Sequence, residues 1–492
     1  MRVREALTLM GATGDSLSAA LFDKQITDFS IDSRTVGAGE LFFALSQEDY
    51  VRAGFNGSFA DGHRFIAEAF KRGAIAAVGR KNRVQGDLDL EQFADRLLLV
   101  EDAIAALQTL ARKVYQAWSK PVVAITGSAG KTTAKELTAQ VLSAGGLRVL
   151  KSERNYNNGL GLPLSVLRMV SEGQRPDQFD VAVLEMGMSS PTHEIRRLCN
   201  ITPPDIGVEL MVAPVHLEYL GSIENIAAAK AELIEGLKPG GTAVLNADDQ
   251  WVMGMRSKTN GPVLTFGIVN AADVRATEIE TGRLGLIKFK LNTPRGETAA
   301  ILRMSGRHNL ANALAAAAVG HCFEMTPTQL AEALGGARPP KMRGEVLDFA
   351  RGFTVIDDSY NSNPRSLLNM VQTMADAAGE DQRLLVIAGE MLELGPEAKD
   401  LHRQAGEEIG RTGIDMLWGV RGLAQEILSG AKQSGSCVTR YFESSKDAAA
   451  AIVDEVKEGD LILVKGSRGV ATDKIVTALR EAFPLLGADE RT

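Results

Sequence analysis

The run Gly127-Ser128-Ala129-Gly130-Lys131-Thr132-Thr133 lies between an apolar segment, PVVAIT, and a helical one, AKELTAQVLS. Glycines let a strand-to-helix turn bend tightly and aim its N–H groups at phosphate oxygens. A lysine at this point reaches the β- and γ-phosphates, and the following hydroxyl ligates Mg²⁺. The spacing is the short GxxGKT form, because Ile125 stands where the long GxxxxGK[ST] form has its first glycine. A glycine-rich turn without a ligand is the bland alternative; GKTT in a strand–loop–helix setting favours phosphate.

Other residues of the right chemistry are weaker taken singly. Glu185 closes the strand-like DVAVLEMG, and His216 sits in APVHLEYLGS after another apolar stretch. Both are candidate Mg²⁺ neighbours, although Mg²⁺ prefers oxygen ligands and a lone histidine is often structural. Lys230, in AAAKAELIEGL, reads by itself as an exposed helical lysine. Asn155, Asn157 and Asn158 in KSERNYNNGLGLP form either a turn or a polar ledge. Asn309 and Asn312 in GRHNLAN share one helix face at i and i+3; capping explains one, and two together suggest amide recognition of a base or ribose. Asp357-Asp358-Ser359-Tyr360-Asn361-Ser362-Asn363-Pro364 ends an apolar run with a dense polar turn.

The elements that must position these residues read as α/β. At roughly 150 residues per domain, 492 residues make about three domains. The chain is 45% hydrophobic and 24% charged, enough apolar residue for real cores. A formal charge of −8 argues against a nucleic acid as main partner, while leaving room for a small phosphorylated ligand. Three scattered cysteines, Cys199, Cys322 and Cys437, fit a reducing compartment rather than a disulfide framework or a zinc ribbon. No apolar run reaches the roughly 18 residues of a membrane span, and the opening MRVREALTLMGATGDS is too soon interrupted for a signal peptide. A cytoplasmic protein is expected.

Three segments follow from texture: 1–118, mixing short strands with helices; 119–338, where PVVAIT, DVAVLEMG and TAVLNAD alternate with helices; and 339–492. The alternation in the second predicts a mostly parallel sheet with helices on its faces. GGARPPKMRG at 335–344 reads as a hinge. Beyond it, TVIDDS, RLLVIAGE, DMLWGV and LILVKGS predict a second doubly wound, Rossmann-like domain, whose strand ends would carry ligands.

Taken together, these motifs resemble the Mur ligase family, the ATP-dependent amino-acid ligases of peptidoglycan assembly, over nearly the whole chain. TGSAGKTT is similar to the family's TGTNGKT, with Ser128 and Ala129 replacing Thr and Asn; GRHNLANALAA is similar to its GxHNxxN. The resemblance implies that Gly127–Thr133, Asn309, Asn312, Arg343 and Asp358 hold ATP. It implies further that Thr132, Glu185, His216 and Lys230 serve two Mg²⁺ ions, with Lys230 carboxylated on its amine. Lys131, Glu185, His216 and Lys230 would then be the catalytic set. DSYNSNP, SERNYNNGLGLP and GEMLELGPEAKDLH resemble the branch that joins D-alanyl-D-alanine to UDP-N-acetylmuramoyl-tripeptide. On that likeness Asn155, Asn158, Tyr360, Asn361 and Asn363 would meet the substrates. DSRTVGAGELFFAL with Asp61-Gly62-His63 resembles the UDP-sugar-binding domain, giving Ser33 and Arg34 as uridine-side contacts. A monomer is the family-level expectation.

Glu390 stands where that branch usually has Asp, and Pro214-Val215 and Tyr219 depart from the pattern around His216. The close rival is addition of a diamino acid one step earlier. Folylpolyglutamate synthesis is more distant because of the N-terminal DSR segment, a non-catalytic nucleotide-binding regulator because Lys131, Glu185 and His216 are all present, and a generic phosphate-loop ATPase because it leaves GRHNLAN, DSYNSNP and the N-terminal domain unexplained. The expected chemistry is attack of a peptide carboxylate on the γ-phosphate of ATP, then attack of an amine on the resulting acyl phosphate.

Overall fold

The computed structural model describes all residues except 15, 56, 86, 154–155, 189–192, 215–219, 283–285, 305, 380–381 and 487–492. His216 and Asn155 therefore lie outside the described residues. The chain divides into two compact units, 1–213 with 222–266 and 318–323, and 214–221 with 267–317 and 324–492. Each is described by itself.

The first unit holds two parallel sheets. β1 (Phe29–Ser30), β2 (Leu41–Phe43), β3 (Ala76–Arg80) and β4 (Leu97–Val100) pair in sequence order. The helix Ala103–Trp118, capped by Asp102 accepting the Ala105 N–H at 2.9 Å, follows them. Its apolar residues recur at helical spacing, from Ile104 and Leu107 to Val114 and Trp118, and all are buried. It packs on β2 and β3 and also on the helix Gly161–Leu167, which ties the N-terminal sheet to the central one within the first unit.

The central sheet comprises β5 (Val122–Thr126), β6 (Val149–Lys151), β7 (Val181–Glu185), β8 (Ile206–Glu209), β9 (Thr242–Asn246) and β10 (Val263–Gly267), paired in parallel in the order β10-β9-β8-β5-β7-β6. β5, β7 and β8 are buried at every position, as apolar strands flanked on both sides must be. The chain runs from β5 to β6 and β7 on one side, then to β8 on the other. The carboxyl end of β5 is thus a topological switch point, where open α/β sheets bind ligands. Register pairs Ile125 with Glu185 and Thr126 with Glu209.

In the second unit, β11 (Val274–Thr281), β12 (Ile287–Thr293) and β13 (Gly296–Leu302) form an antiparallel meander. The helix Pro327–Gly336 follows, opened by a Thr326/Gln329 capping box with proline in its first turn. It extends into the expected hinge, whose irregular part therefore begins at Ala337.

The last sheet contains β14 (Glu345–Asp348), β15 (Thr354–Asp358), β16 (Leu384–Gly389), β17 (Met416–Val420), β18 (Val438–Phe442) and β19 (Leu461–Lys465), in the order β14-β15-β19-β16-β17-β18. Only β14 is antiparallel to its neighbour. Apolar clusters cover both faces, one around Trp418, Phe349 and Phe353 and one around Met370, Leu417 and Ile427. This is the doubly wound domain expected from the strand–helix alternation.

Candidate active site

The phosphate loop occupies the switch point. Gly130 opens the helix Lys131–Ala144 at φ 83°, a left-handed conformation that favours glycine. At Gly127 a Cβ would come within 2.9 Å of the Leu210 Cβ and 3.3 Å of the Met211 nitrogen, so the adjacent strand end leaves no room for one. Ser128 braces the loop: its N–H donates to the Met211 carbonyl at 2.8 Å, its hydroxyl donates to the Ala213 carbonyl at 3.1 Å, and its oxygen accepts the Ala213 N–H at 2.9 Å. Lys131 Nζ donates to the Gly127 carbonyl at 2.8 Å, folding the ammonium back over the loop it belongs to. Ala129 is half-buried and Thr133 buried beside it.

Thr132 and Glu185, separated by 53 positions in the chain, meet here. The Thr132 hydroxyl donates to Glu185 Oε2 at 2.9 Å, and Asn157 Nδ2 donates to Glu185 Oε1 at 2.8 Å. The Glu185 N–H donates to the Ser152 hydroxyl at 2.8 Å, fixing the strand end. Hydroxyl and carboxylate oxygens converging beside a phosphate loop are the hard donors that Mg²⁺ takes, so the Thr132–Glu185 pair fits a magnesium ion. Among the described residues, no group of three His, Cys, Asp or Glu side chains gathers as a ligand set. A cation here would complete its shell with substrate oxygens and water.

Lys230, read from sequence alone as exposed, is 2% exposed on the helix Ile223–Glu235, which packs on β5 and β8. Burial, aided by repulsion from Lys131, pulls its amine well below the usual lysine range, with Glu209 acting in the opposite sense. Burial also pushes the Glu209 carboxyl well up. Such shifts are typical of groups held ready for chemistry.

Of this cluster Glu209 escaped the sequence reading, and Asn157 reads in sequence only as part of a turn or polar ledge. Asn157, rather than Asn158, faces Glu185; Asn158 Oδ1 instead accepts the Leu160 and Gly161 N–H groups at 3.1 and 2.9 Å, capping the next helix. Glu209 carried one signal, a carboxylate ending the apolar run DIGVE. In the N-terminal segment, Ser33 sits half-buried in the turn after β1, and the exposed Arg34 forms a two-pronged pair with Asp32 at 2.9 and 2.8 Å. His63 is internal: Nδ1 lies 2.7 Å from Asp61 Oδ1 and Nε2 accepts the Arg80 N–H at 2.9 Å, so the Asp-Gly-His run is a structural clasp.

The second unit has its own cluster at the carboxyl ends of β15 and β19. Register sets Asp358 beside Lys465, and their side chains pair at 2.5 Å; Lys465 Nζ also donates to the Asn361 carbonyl at 2.8 Å. The Arg343 guanidinium lies 4.1 Å over the Tyr360 ring, a cation–π contact. The Gly344 N–H donates to the Asp357 carbonyl, and a Cβ on Gly344 would lie 3.9 Å from Asn309 Nδ2, which brings KMRG beside GRHNLAN. Asn309 and Asn312 are both buried.

Lys465 escaped the sequence reading, because LILVK reads as a strand. Asn363 caps the helix Pro364–Ala377, its Oδ1 accepting the Ser366 N–H at 2.9 Å. Asn361 Oδ1 accepts the Ser362 N–H at 2.9 Å. Glu390 accepts the Leu423 N–H at 3.1 Å, and His402 is held between the Met391 N–H and the Ala398 carbonyl. Each of these motif residues makes a hydrogen bond close by in the chain or to an adjoining loop.

A phosphate loop at a sheet switch point, a strand-end carboxylate beside it and a second doubly wound domain define a nucleotide-dependent α/β enzyme. The chain belongs to the Mur ligase family: the Mur ligase middle domain matches residues 125–320, and the Mur ligase glutamate ligase domain residues 342–468. It is 34% identical over 455 residues to the UDP-N-acetylmuramoyl-tripeptide–D-alanyl-D-alanine ligase of Bacillus subtilis, covering 92% of each. It is also similar to the crystal structure of MurF from Acinetobacter baumannii, at TM-score 0.83, 25% identity and 98% coverage of both chains. MurF ligase from Thermotoga maritima in complex with ADP matches at TM-score 0.74 and 26% identity, over 93% of this chain and 98% of that one.

Proposed function

We propose that this protein is the ATP-dependent ligase that joins D-alanyl-D-alanine to UDP-N-acetylmuramoyl-tripeptide in peptidoglycan precursor synthesis, acting in the cytoplasm as a monomer and releasing ADP and phosphate. The observation that carries this reading is the 34% identity, over 92% of both chains, to an enzyme bearing that name. It is supported by the intact Lys131, Thr132 and Glu185 constellation. We further assign residues 1–118 to UDP-substrate binding, 119–338 to ATP and 339–492 to ligation.

In this reading the loop N–H groups and Lys131 hold the β- and γ-phosphates while the tripeptide carboxylate attacks the γ-phosphorus and the bond to ADP breaks. The dipeptide amine then attacks the acyl phosphate carbonyl, and phosphate departs with the carboxylate's oxygen. Catalysis of the first step is mainly positioning and charge neutralisation. Magnesium supplies that neutralisation when bound; Thr132 and Glu185 would hold one ion, and His216 with an N6-carboxylated Lys230 a second. Asn157 orients the Glu185 carboxylate. Arg343, Asn309, Asn312 and Asp358 would contact the nucleoside side, Ser33 and Arg34 the uridine, and Asn155, Asn158, Tyr360, Asn361 and Asn363 the peptide substrates.

The test is phosphate release and product mass with ATP, Mg²⁺ and UDP-N-acetylmuramoyl-tripeptide, comparing D-alanyl-D-alanine with lysine or diaminopimelate as the added amine. Controls for the rival reaction receive the dipeptide precursor. Pentapeptide formed only with D-alanyl-D-alanine is expected. Ligation of the diamino acid to the dipeptide precursor would refute the assignment.

A further inference from the structure

Glu209 is fully buried at the end of β8, and among the described residues neither of its carboxylate oxygens has a hydrogen-bond partner. Folded chains rarely leave a buried carboxylate so, because desolvation without compensation costs several kcal/mol. Its place in the sheet is specific. Register sets it opposite Thr126, the residue before Gly127, so the two side chains share one face of the sheet about 4.8 Å apart at the backbone. The Thr126 hydroxyl is likewise buried and unpartnered. On the other flank of β5, Glu185 pairs with Ile125 and so projects to the opposite face, where Thr132 and Asn157 occupy both of its oxygens.

The nearby Asp249 offers no alternative, since it accepts the Val212, Trp251 and Val252 N–H groups. Lys230 is buried on the helix that packs against this same face. Two unsatisfied hard oxygen donors, adjacent to each other and to the root of a phosphate loop, have the composition of a divalent-cation ligand set.

We propose that Glu209, with the Thr126 hydroxyl beside it, is an additional oxygen ligand for the divalent cation on the Lys230 side of the phosphate loop. This rests on the two-cation ligase reading. It assigns to Glu209 the role that Glu185 has on the other side of β5, so that each flanking strand contributes one carboxylate. In the cation-free chain attraction between Glu209 and Lys230 offsets only part of the cost of burying them; with Lys230 carboxylated that attraction is gone, and a cation takes its place.

The experiment is Mn²⁺ binding to the full chain, read by electron paramagnetic resonance and calorimetry, with a non-hydrolysable ATP analogue and bicarbonate present. Wild type should bind two ions. Glu209→Gln should weaken one at least tenfold and leave the other unchanged, whereas Glu185→Gln should weaken the other. Glu209→Asp, which keeps the charge but withdraws the oxygens, guards against a folding defect and should weaken the same ion as Glu209→Gln. Two ions bound equally by wild type and both Glu209 variants would overturn this proposal and leave the ligase reading standing. A wild type that binds only one ion would overturn it together with the two-cation reading.

Discussion

At the carboxyl ends of β5 and β7, polar side chains from distant parts of the chain face one another: Thr132 and Asn157 converge on the two oxygens of Glu185, with Lys131 folded over the loop. At the carboxyl end of β15 the polar residues are denser in sequence, yet most turn inward on their own loop. Ser359 bonds Asp357, Asn361 Oδ1 bonds the next N–H and Asn363 caps a helix; Asp358 pairs with Lys465 and Tyr360 lies under Arg343, while the Asn361 carbonyl also accepts from Lys465. Density of polar residues in sequence is therefore a poor guide to a site. Short-range Asx bonds take up the Asn361 and Asn363 side-chain oxygens and leave their amide N–H groups as the donors. What marks the first cluster is convergence across strands.

That contrast can be broken or sharpened by mutation. The largest effect is expected from Lys131→Ala, which should lower kcat/KM for ATP-dependent ligation by roughly 10³-fold or more with unchanged circular dichroism, since it removes transition-state charge stabilisation. Undiminished turnover would remove the phosphate-loop assignment. Glu185→Gln should cost roughly 10²-fold and raise the Mg²⁺ concentration needed for half-maximal rate. A loss that excess Mg²⁺ leaves untouched, with KM for Mg²⁺ unchanged, would make Glu185 a structural residue only.

In the second cluster the expected effects are on stability. Burial holds the Asp357 carboxyl up to about 6, against about 3.9 for an unfolded aspartate. Between those values the folded chain binds more protons than the unfolded one. The contribution to stability is therefore greatest below about pH 4 and is lost as pH rises through 6. The unfolding free energy of wild type relative to Asp357→Asn should fall by on the order of 2 kcal/mol from about pH 4 to about pH 6.5, followed by urea titration. A difference independent of pH would contradict the buried placement. Asn363→Ala should cost about 1 kcal/mol as a lost helix cap, with Asn363→Asp restoring it. Unchanged thermal stability in Asn363→Ala would contradict the cap.

Much of the fold was legible because α/β alternation writes itself in hydrophobic runs. PVVAIT, DVAVLE and LILVK are buried strands, and their charged or hydroxyl last residues mark the ligand-facing edge. The loop Gly127–Thr133 was legible for a local reason: its glycines answer to backbone geometry within seven residues. The packing of the first two segments against each other was less so. The N-terminal sheet joins the central one in a single compact unit through the helix Ala103–Trp118, whose two-sided packing no linker signal announces.

Sequence alone thus determined the phosphate loop and the ends of the strands, because motif spacing and apolar periodicity are properties of neighbouring residues, while the reaction class came with the family resemblance that its motifs carry. Only the tertiary structure decided that Asn157 rather than Asn158 serves Glu185, that Lys230 is buried, and that Glu209 shares a sheet face with Thr126. Those outcomes depend on strand order and register, which bring together residues 28 to 83 positions apart and set which side of the sheet each faces.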